Sequence, residues 1–289
     1  MVKYFNNKYK KYILFSLLFL VVFCILYFIH LQYSFYEHFE DNDIKIAVIT
    51  SIYGDYDDLI DIENVIDRDK LDWYCFTDKE KNHSEGWKVI LDPYHLTNTE
   101  ENDELKEYKN FFSNIEDDQK ILNMMSAKYY KTQSHHIDLL KDYDYYIWID
   151  GSLILRDSFV KTVYDFIHKK KYKLVNFKHS AREKIKDESH FSNTLQRYKE
   201  QNVLDQYQNY IKDSFKDDQG LFENGFFIRI NKNEINKLFD DWWLHNLQYS
   251  YQDQISYPYL LWKNNIRPDH IIKYSIYDNK ELCHFKGHK

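Results

Sequence analysis

Glycine and proline are nearly missing from this chain, at six and three in 289 residues. There is no low-complexity tract and no internal repeat. With so few glycines, each is expected where a side chain would be in the way. Cysteine is almost as scarce. Of Cys24, Cys75 and Cys283, the first lies in an apolar N-terminal run. The two that remain cannot form a disulfide framework or a cysteine-rich zinc pattern. A basic excess is missing too: the net charge is −7, which excludes a nucleic-acid footprint. Aromatic residues, by contrast, are abundant, with 27 Tyr and 20 Phe. The length suits one sizeable domain plus an appendage.

Charge is also absent from Tyr12–Ile29, and the apolar character continues to Leu31. Such a run is about long enough to cross a hydrocarbon core of ~30 Å at ~1.5 Å per residue. Lys3, Lys8, Lys10 and Lys11 precede it, and Glu37, Glu40, Asp41 and Asp43 follow it. Cationic flanks stay in the cytosol. The expected layout is a cytosolic tail over 1–11, a transmembrane signal anchor over 12–32, a stalk over 33–43 and a single domain over 44–289. The protein is then a single-pass type II membrane protein with its domain lumenal or extracellular. A cleaved signal peptide needs small residues where Tyr27, Phe28, Ile29 and His30 stand. The sequon Asn82-His83-Ser84 would face a compartment that glycosylates.

After the stalk, strand-like and helix-like segments alternate. Strands are predicted at Lys45–Thr50, Asp72–Phe76, Trp87–Leu91, Tyr172–Phe177 and Gly225–Ile230. Helices are predicted at Asp118–Leu140, after Asp157-Ser158, at Asn233–Leu247 and at Gln252–Trp262. The polar stretch 183–216 reads as exposed helices. Such alternation indicates an α/β fold with a mostly parallel sheet covered on both faces.

The chain is organised around Tyr143–Leu155, whose β-branched and aromatic residues read as a buried central strand. Asp150 interrupts it and is followed at once by Gly151 and Ser152. A carboxylate is not put there for stability, because burying it unpaired is costly. In open α/β sheets the ligand lies outside the carboxyl ends of the strands. An acid with a glycine beside it could seat a metal ion and its phosphate ligand. A strand that merely ends in an Asp-Gly turn accounts for the same residues. Gly54, Gly151, Gly220, Gly225 and Gly287 all fall in such candidate segments.

The segment from Tyr145 to Leu155 resembles the metal-binding strand of GT-A glycosyltransferases. Three later segments keep the order of family eight of those enzymes: Glu223-Asn224-Gly225, Asp253-Gln254 and His284-Phe285-Lys286-Gly287. A closer likeness is to a plant and bacterial glycosyltransferase-like group tied to mucilage polysaccharides. It rests on Ile52–Asp57, Lys128–Lys131 with His135, Trp148–Ser152, His179 and Arg182 with Glu188, and Asp253–Tyr257 with Trp262. Ser152 stands where the metal motif has its second acid, and Lys289 is one residue short of the family's phosphate-binding lysine.

The resemblance implies a GT-A fold, a nucleotide-sugar donor and a divalent metal. A UDP-linked hexose is the expected donor, and a glycan, protein or lipid is the acceptor. Asp150, Ser152 and His284 are the implied metal ligands. Carboxylate with imidazole suits Mn²⁺, with Mg²⁺ close behind. Thr50, Ser51, Ile52 and Tyr53 would line the base pocket. Lys128, Lys131, His135, Gly151, Asn224, Gly225, Gly287 and Lys289 would contribute to donor binding. Asp253 and Gln254 would act near the reacting carbon, and His179 and Arg182 would meet donor or acceptor. Taken on their own, Lys128 and Lys131 read as a basic helix edge and Asp253 as an N-cap. On a helix, adjacent His135 and His136 cannot point the same way, so at most one should face the site. Trp242 and Trp243 read as core, with one of them expected to be exposed. Two other functional classes fit the same residues. One is a metal-dependent hydrolase acting on a lipid or glycan, for which there is no nucleophile elbow or His-rich zinc motif. The other is a non-catalytic glycan-binding protein, which Ser152 favours.

Overall fold

The computed structural model describes residues 20–23, 27, 44–80, 85–91, 118–199 and 201–287. Residues 1–44 and 45–289 form separate compact units. In the first, residues 20–23 and 27 are helical. Among the described residues no helix is long and apolar enough to cross a membrane. Most of the predicted anchor, the whole stalk, the sequon and Lys289 lie outside the described residues.

The second unit is built on a seven-stranded sheet. Its strands are β1 (Ile46–Ile52), β2 (Asp72–Thr77), β3 (Trp87–Leu91), β4 (Tyr145–Ile149), β6 (Leu174–Lys178), β7 (Phe222–Ile230) and β8 (His270–Ile272). Short β5 (Leu153–Leu155) and β9 (Cys283–Phe285) pair separately. The order across the large sheet is β3-β2-β1-β4-β7-β6-β8. The β3-β2, β2-β1, β1-β4 and β6-β8 pairs are parallel, and only β7 runs against its neighbours. Every residue of β1 and β4 is buried. That explains their unbroken apolar runs, since a central parallel strand has helices over both faces. Cys75 and Cys283 are free and buried.

The helices are α1 (Asp118–Thr132), α2 (Phe159–Tyr164), α3 (Ile185–Thr194), α4 (Val203–Lys212), α5 (Asn233–Gln248) and α6 (Asp253–Lys263). Four expectations are corrected here. First, the helix predicted over Asp118–Leu140 stops at Thr132, and a 3-10 turn follows at Ser134–His136. The chain needs that turn to return Asp144 to the foot of β1, where Lys45 N–H donates to its carboxylate at 2.9 Å. Second, the polar stretch 183–216 is not an exposed face. Ile185, Glu188, Ser192, Tyr198, Val203, Gln206 and Tyr210 are all buried. Its buried polar groups are satisfied by the segment leading into α6: Ser250 Oγ donates to Gln206 at 2.7 Å, and Gln252 Nε2 donates to Glu188 at 2.8 Å. A hydropathy pattern cannot register burial of that kind. Third, Trp242 and Trp243 are both buried. Trp242 packs on Tyr257 with centroids 4.5 Å apart, and Trp243 meets Tyr129 edge-on at 5.3 Å, because α5 has partners on two sides. Fourth, β7 begins at Phe222, three residues before the expected Gly225, and is antiparallel.

One half-buried histidine at the edge of this core makes stability depend on pH. Gln206 Nε2 donates to the Tyr210 hydroxyl at 2.7 Å, leaving that hydroxyl to donate to His245 Nδ1, also at 2.7 Å. Burial, with Lys263 nearby, pushes the His245 pKa down from 6.5 to about 4. The unfolded chain takes up this proton first. The contribution is therefore complete above pH ~6.5 and is lost towards pH 4, at ~1.4 kcal/mol per unit. We expect His245 to cost ~2 kcal/mol at pH 5 relative to neutral pH. In His245→Gln the urea midpoint should fall less steeply between pH 6.5 and 4.5. An unchanged slope would remove His245 from the account.

Candidate functional site

In the sheet, β2 and β3 extend to one side of β1 while β4 lies on the other. The order therefore reverses between β1 and β4, and a crevice opens beyond their carboxyl ends, where ligands of such folds bind. Asp150 stands at this reversal, directly after β4. Its amide donates to Gly225 O at 2.8 Å, its Oδ1 accepts from Trp148 Nε1 at 2.6 Å, and Lys131 Nζ lies 3.5 Å from the same oxygen. The side chain keeps 40 % of its exposure.

Irregularity in β7 sets the opposite wall. In the β6–β7 register, Asn176 pairs with Phe227 but Phe177 pairs with Glu223, so Asn224, Gly225 and Phe226 have no partner in β6. A bulge of this kind re-aims side chains at a sheet's rim. A Cβ on Gly225 would come within 3.1 Å of Asp150 Oδ2 and 3.3 Å of Ile276 Cδ1. Glycine there leaves that oxygen uncrowded. A Cβ on Gly151 would lie 3.2 Å from the Asp57 side chain.

The floor comes from α1 and α6. Asp253 is the first residue of α6, and Gln252 occupies the cap position without a side-chain cap bond. The Asp253 carboxylate turns to α1, where its Oδ2 accepts from Lys131 Nζ at 2.6 Å and also from Lys128 Nζ. Lys131 and Asp253 are 2 % and 7 % exposed. Burial alone would raise the Asp253 pKa, but the two lysines outweigh it and hold the carboxyl below its usual range. Burial lowers the Lys128 pKa despite Asp253. Lys131, buried likewise, is raised by Asp150 and Asp253 together. The spacing of three that puts both lysines on one face thus serves a buried ion-pair cluster.

The crevice, of about 210 Å³, is lined by residues including Ser51, Lys128, Lys131, Asp150, Gly151, Asn224, Gly225, Asp253 and Gln254. A neighbouring cavity of about 370 Å³ shares Ser51 with it and adds Ile52 and Tyr53. At the crevice the buried atoms Ser51 Oγ, Asn224 Oδ1 and Asp253 Oδ1 have no hydrogen-bond partner among the described residues. Unpaired buried polar atoms are costly and rare, and are expected where a ligand binds.

Several predicted residues stand elsewhere. Thr50 is fully buried and lines neither cavity. His179 and Arg182 lie behind the crevice. His179 Nδ1 accepts from the Ala181 and Arg182 amides at 3.1 and 3.0 Å, and Arg182 pairs with buried Glu188. Burial holds the His179 pKa down against the pull of Glu223 and Glu188. Glu188 and Ser192 in turn hold Gln252, which does line the crevice. His135 does not reach the site. It touches Arg229, which pairs with Tyr146, four residues and ~13 Å down β4 from Asp150. Contrary to expectation, His135 and His136 do point together, both reaching Asp240 Oδ1 at 2.9 Å. They lie in a 3-10 turn, where neighbouring side chains can converge.

The nitrogens of His135 and His136 and an oxygen of Asp240 lie within 4.8 Å of one another, close enough to hold a metal ion. The surroundings do not fit one. Arg229 Nη2 donates to His135 Nδ1 at 3.2 Å, so the proton of this imidazole sits on Nε2, the atom a metal would need. The expected ligands fit better in chemistry. Asp150 Oδ2 is uncrowded, and His284 Nδ1 is buried without a partner among the described residues. His284 lies in β9 opposite Ile154, and Lys286 N donates to Ser152 O at 2.9 Å, which ties this strand to the turn after Asp150. Neither His284 nor Ser152 lines the crevice itself. Gly287 has φ +90° with open space around it.

Sequence reasoning gave no site role to Arg197, Tyr198 or Gln252, nor to Tyr56 and Asp57 of the Ile52–Asp57 motif, although all five are on the crevice wall. Gln252 adjoins a recognised motif and could have been found. Arg197 sits in a polar stretch with no local mark.

A mixed α/β sheet flanked by helices, with a charged crevice at its point of reversal, is the framework of a glycosyltransferase-like domain. The chain belongs to the TOD1/MUCI70 glycosyltransferase-like domain family, whose model matches residues 119–288. No curated protein matches it. Among solved structures it is similar to core-mannan synthase A from Aspergillus fumigatus in its Mn/GDP form. That likeness has a TM-score of 0.41 and 11% identity, over 75% of this chain and 69% of the other.

Proposed function

We propose that this protein is a metal-dependent glycosyltransferase of GT-A type. It moves a hexose from a UDP-linked donor to a glycan, protein or lipid acceptor, and residues 12–32 anchor it with the domain lumenal or extracellular. The observation that carries the reading is that one crevice holds Asp150, half-exposed at the rim, and two buried oxygens that lack partners among the described residues, Asn224 Oδ1 and Asp253 Oδ1. Both oxygens accept hydrogen bonds only, which suits the hydroxyls of a sugar. Asn224 is held for this by its Nδ2, which donates to Asp253 O at 3.2 Å. Gln254 stands beside them on the same wall. The larger cavity, with Tyr53 stacked on Tyr130 at 6.3 Å, suits the flat base of the nucleotide. Asp150, His284 and Ser152 would hold Mn²⁺ or Mg²⁺, which when bound neutralises the charge of the leaving diphosphate.

The test is a screen of nucleotide sugars for Mn²⁺-dependent donor hydrolysis and transfer by the purified chain. A UDP-hexose should turn over, and EDTA should abolish the reaction. No turnover of any donor, together with no nucleotide binding, would overturn the reading.

A further inference from the structure

Any donor diphosphate bound in this crevice must meet cations, and the two lysines on its floor are already committed. Lys128 and Lys131 share Asp253 Oδ2, and Lys131 also lies within reach of Asp150. Two ammonium groups thus face two carboxylates, with no positive charge in surplus. Pulling either lysine onto a phosphate would strip a buried carboxylate of its partner.

Arg197 is placed differently. It belongs to the 3-10 turn Gln196–Tyr198, lines the same crevice and has an exposed side chain. Its guanidinium lies 4.8 Å from the Tyr198 ring centre and bonds to Tyr56. Among the described residues it has no carboxylate partner. Its backbone is pinned from two sides, with Arg197 O accepting from the Tyr251 hydroxyl at 2.9 Å and Gln201 Nε2 at 3.2 Å. A planar guanidinium on a fixed turn, its charge unspent, is suited to grip phosphate oxygens in pairs.

We propose that Arg197 is the side chain that binds the diphosphate of the donor, while Lys128 and Lys131 act through Asp253 as positioning residues. The inference rests on the transferase reading but is separable from it. Calorimetry on the full chain in detergent, with Mn²⁺, would compare UDP with uridine. Arg197→Gln should weaken UDP by ~10–100-fold and leave uridine within ~2-fold. Arg197→Lys should recover part of the loss, since it restores the charge without the fork. Wild-type affinity for UDP in Arg197→Gln, or an equal loss for uridine, would overturn the assignment and leave the transferase reading standing. A wild-type chain that binds no UDP would overturn both.

Discussion

Asp253→Asn should lose about 3–5 kcal/mol of stability, the cost of leaving one side of a buried ion-pair cluster uncompensated. For a unit of this size, that lowers the melting temperature by on the order of 10 °C. The cause is specific. Lys128 and Lys131 approach the same oxygen of a carboxylate that is 7 % exposed, and Asp150, at 3.5 Å from Lys131, cannot serve both. The same substitution should cut transfer by ~10³-fold or more, because Asp253 Oδ1 is one of the two acceptors open to the sugar. The two losses can be separated. Adding Lys128→Met removes one unpaired ammonium group, so thermal stability should rise above that of the single variant while activity stays lost. Calorimetric melting and initial rates on both variants check this. If Asp253→Asn melted like the wild type, the cluster would have no structural role. If the double variant regained activity, Asp253 would not be touching the substrate.

The cluster also shows what a sequence can and cannot reveal. Asp253 could be placed at a helix start, where an acid is a good N-cap. The cap position belongs instead to Gln252, and the carboxylate turns towards α1, more than a hundred residues away. Local spacing could not report that contact. What spacing did reveal is the framework. The apolar run of β4 with its single acid marks a central strand and its rim, and Gly225 faces that acid because a side chain there would crowd it. The polar stretch 183–216 misled because Glu188 and Gln206 are buried against polar partners distant in sequence, Gln252 and Ser250. Side chains that satisfy each other inside a core look, residue by residue, like a solvated surface. His135 and His136 misled through geometry: in a tight turn two adjacent rings can meet one carboxylate, which a helix forbids.

Asp150→Asn should show the opposite signature. The carboxylate is 40 % exposed, and its Oδ1 accepts from Trp148, a bond that asparagine can keep through its own oxygen. Its pairing with Lys131 is long, and Asp253 still compensates that lysine. Stability should therefore change by less than ~1 kcal/mol, as for other partly exposed pairs. Turnover is another matter. Asp150 Oδ2 is the one oxygen of the reversal point that glycine leaves uncrowded, so loss of its charge should cost ~10³-fold or more in kcat/KM, or ~4 kcal/mol of barrier. The deficit should shrink only partly as Mn²⁺ is raised, because asparagine is a weaker ligand for a hard cation. Measuring Mn²⁺ titrations of turnover beside melting curves sets the two aspartates apart. An Asp150→Asn variant with wild-type metal-dependent turnover would show that the reaction does not pass through the rim of β4. One that melted as early as Asp253→Asn would show that both acids belong to a single structural cluster.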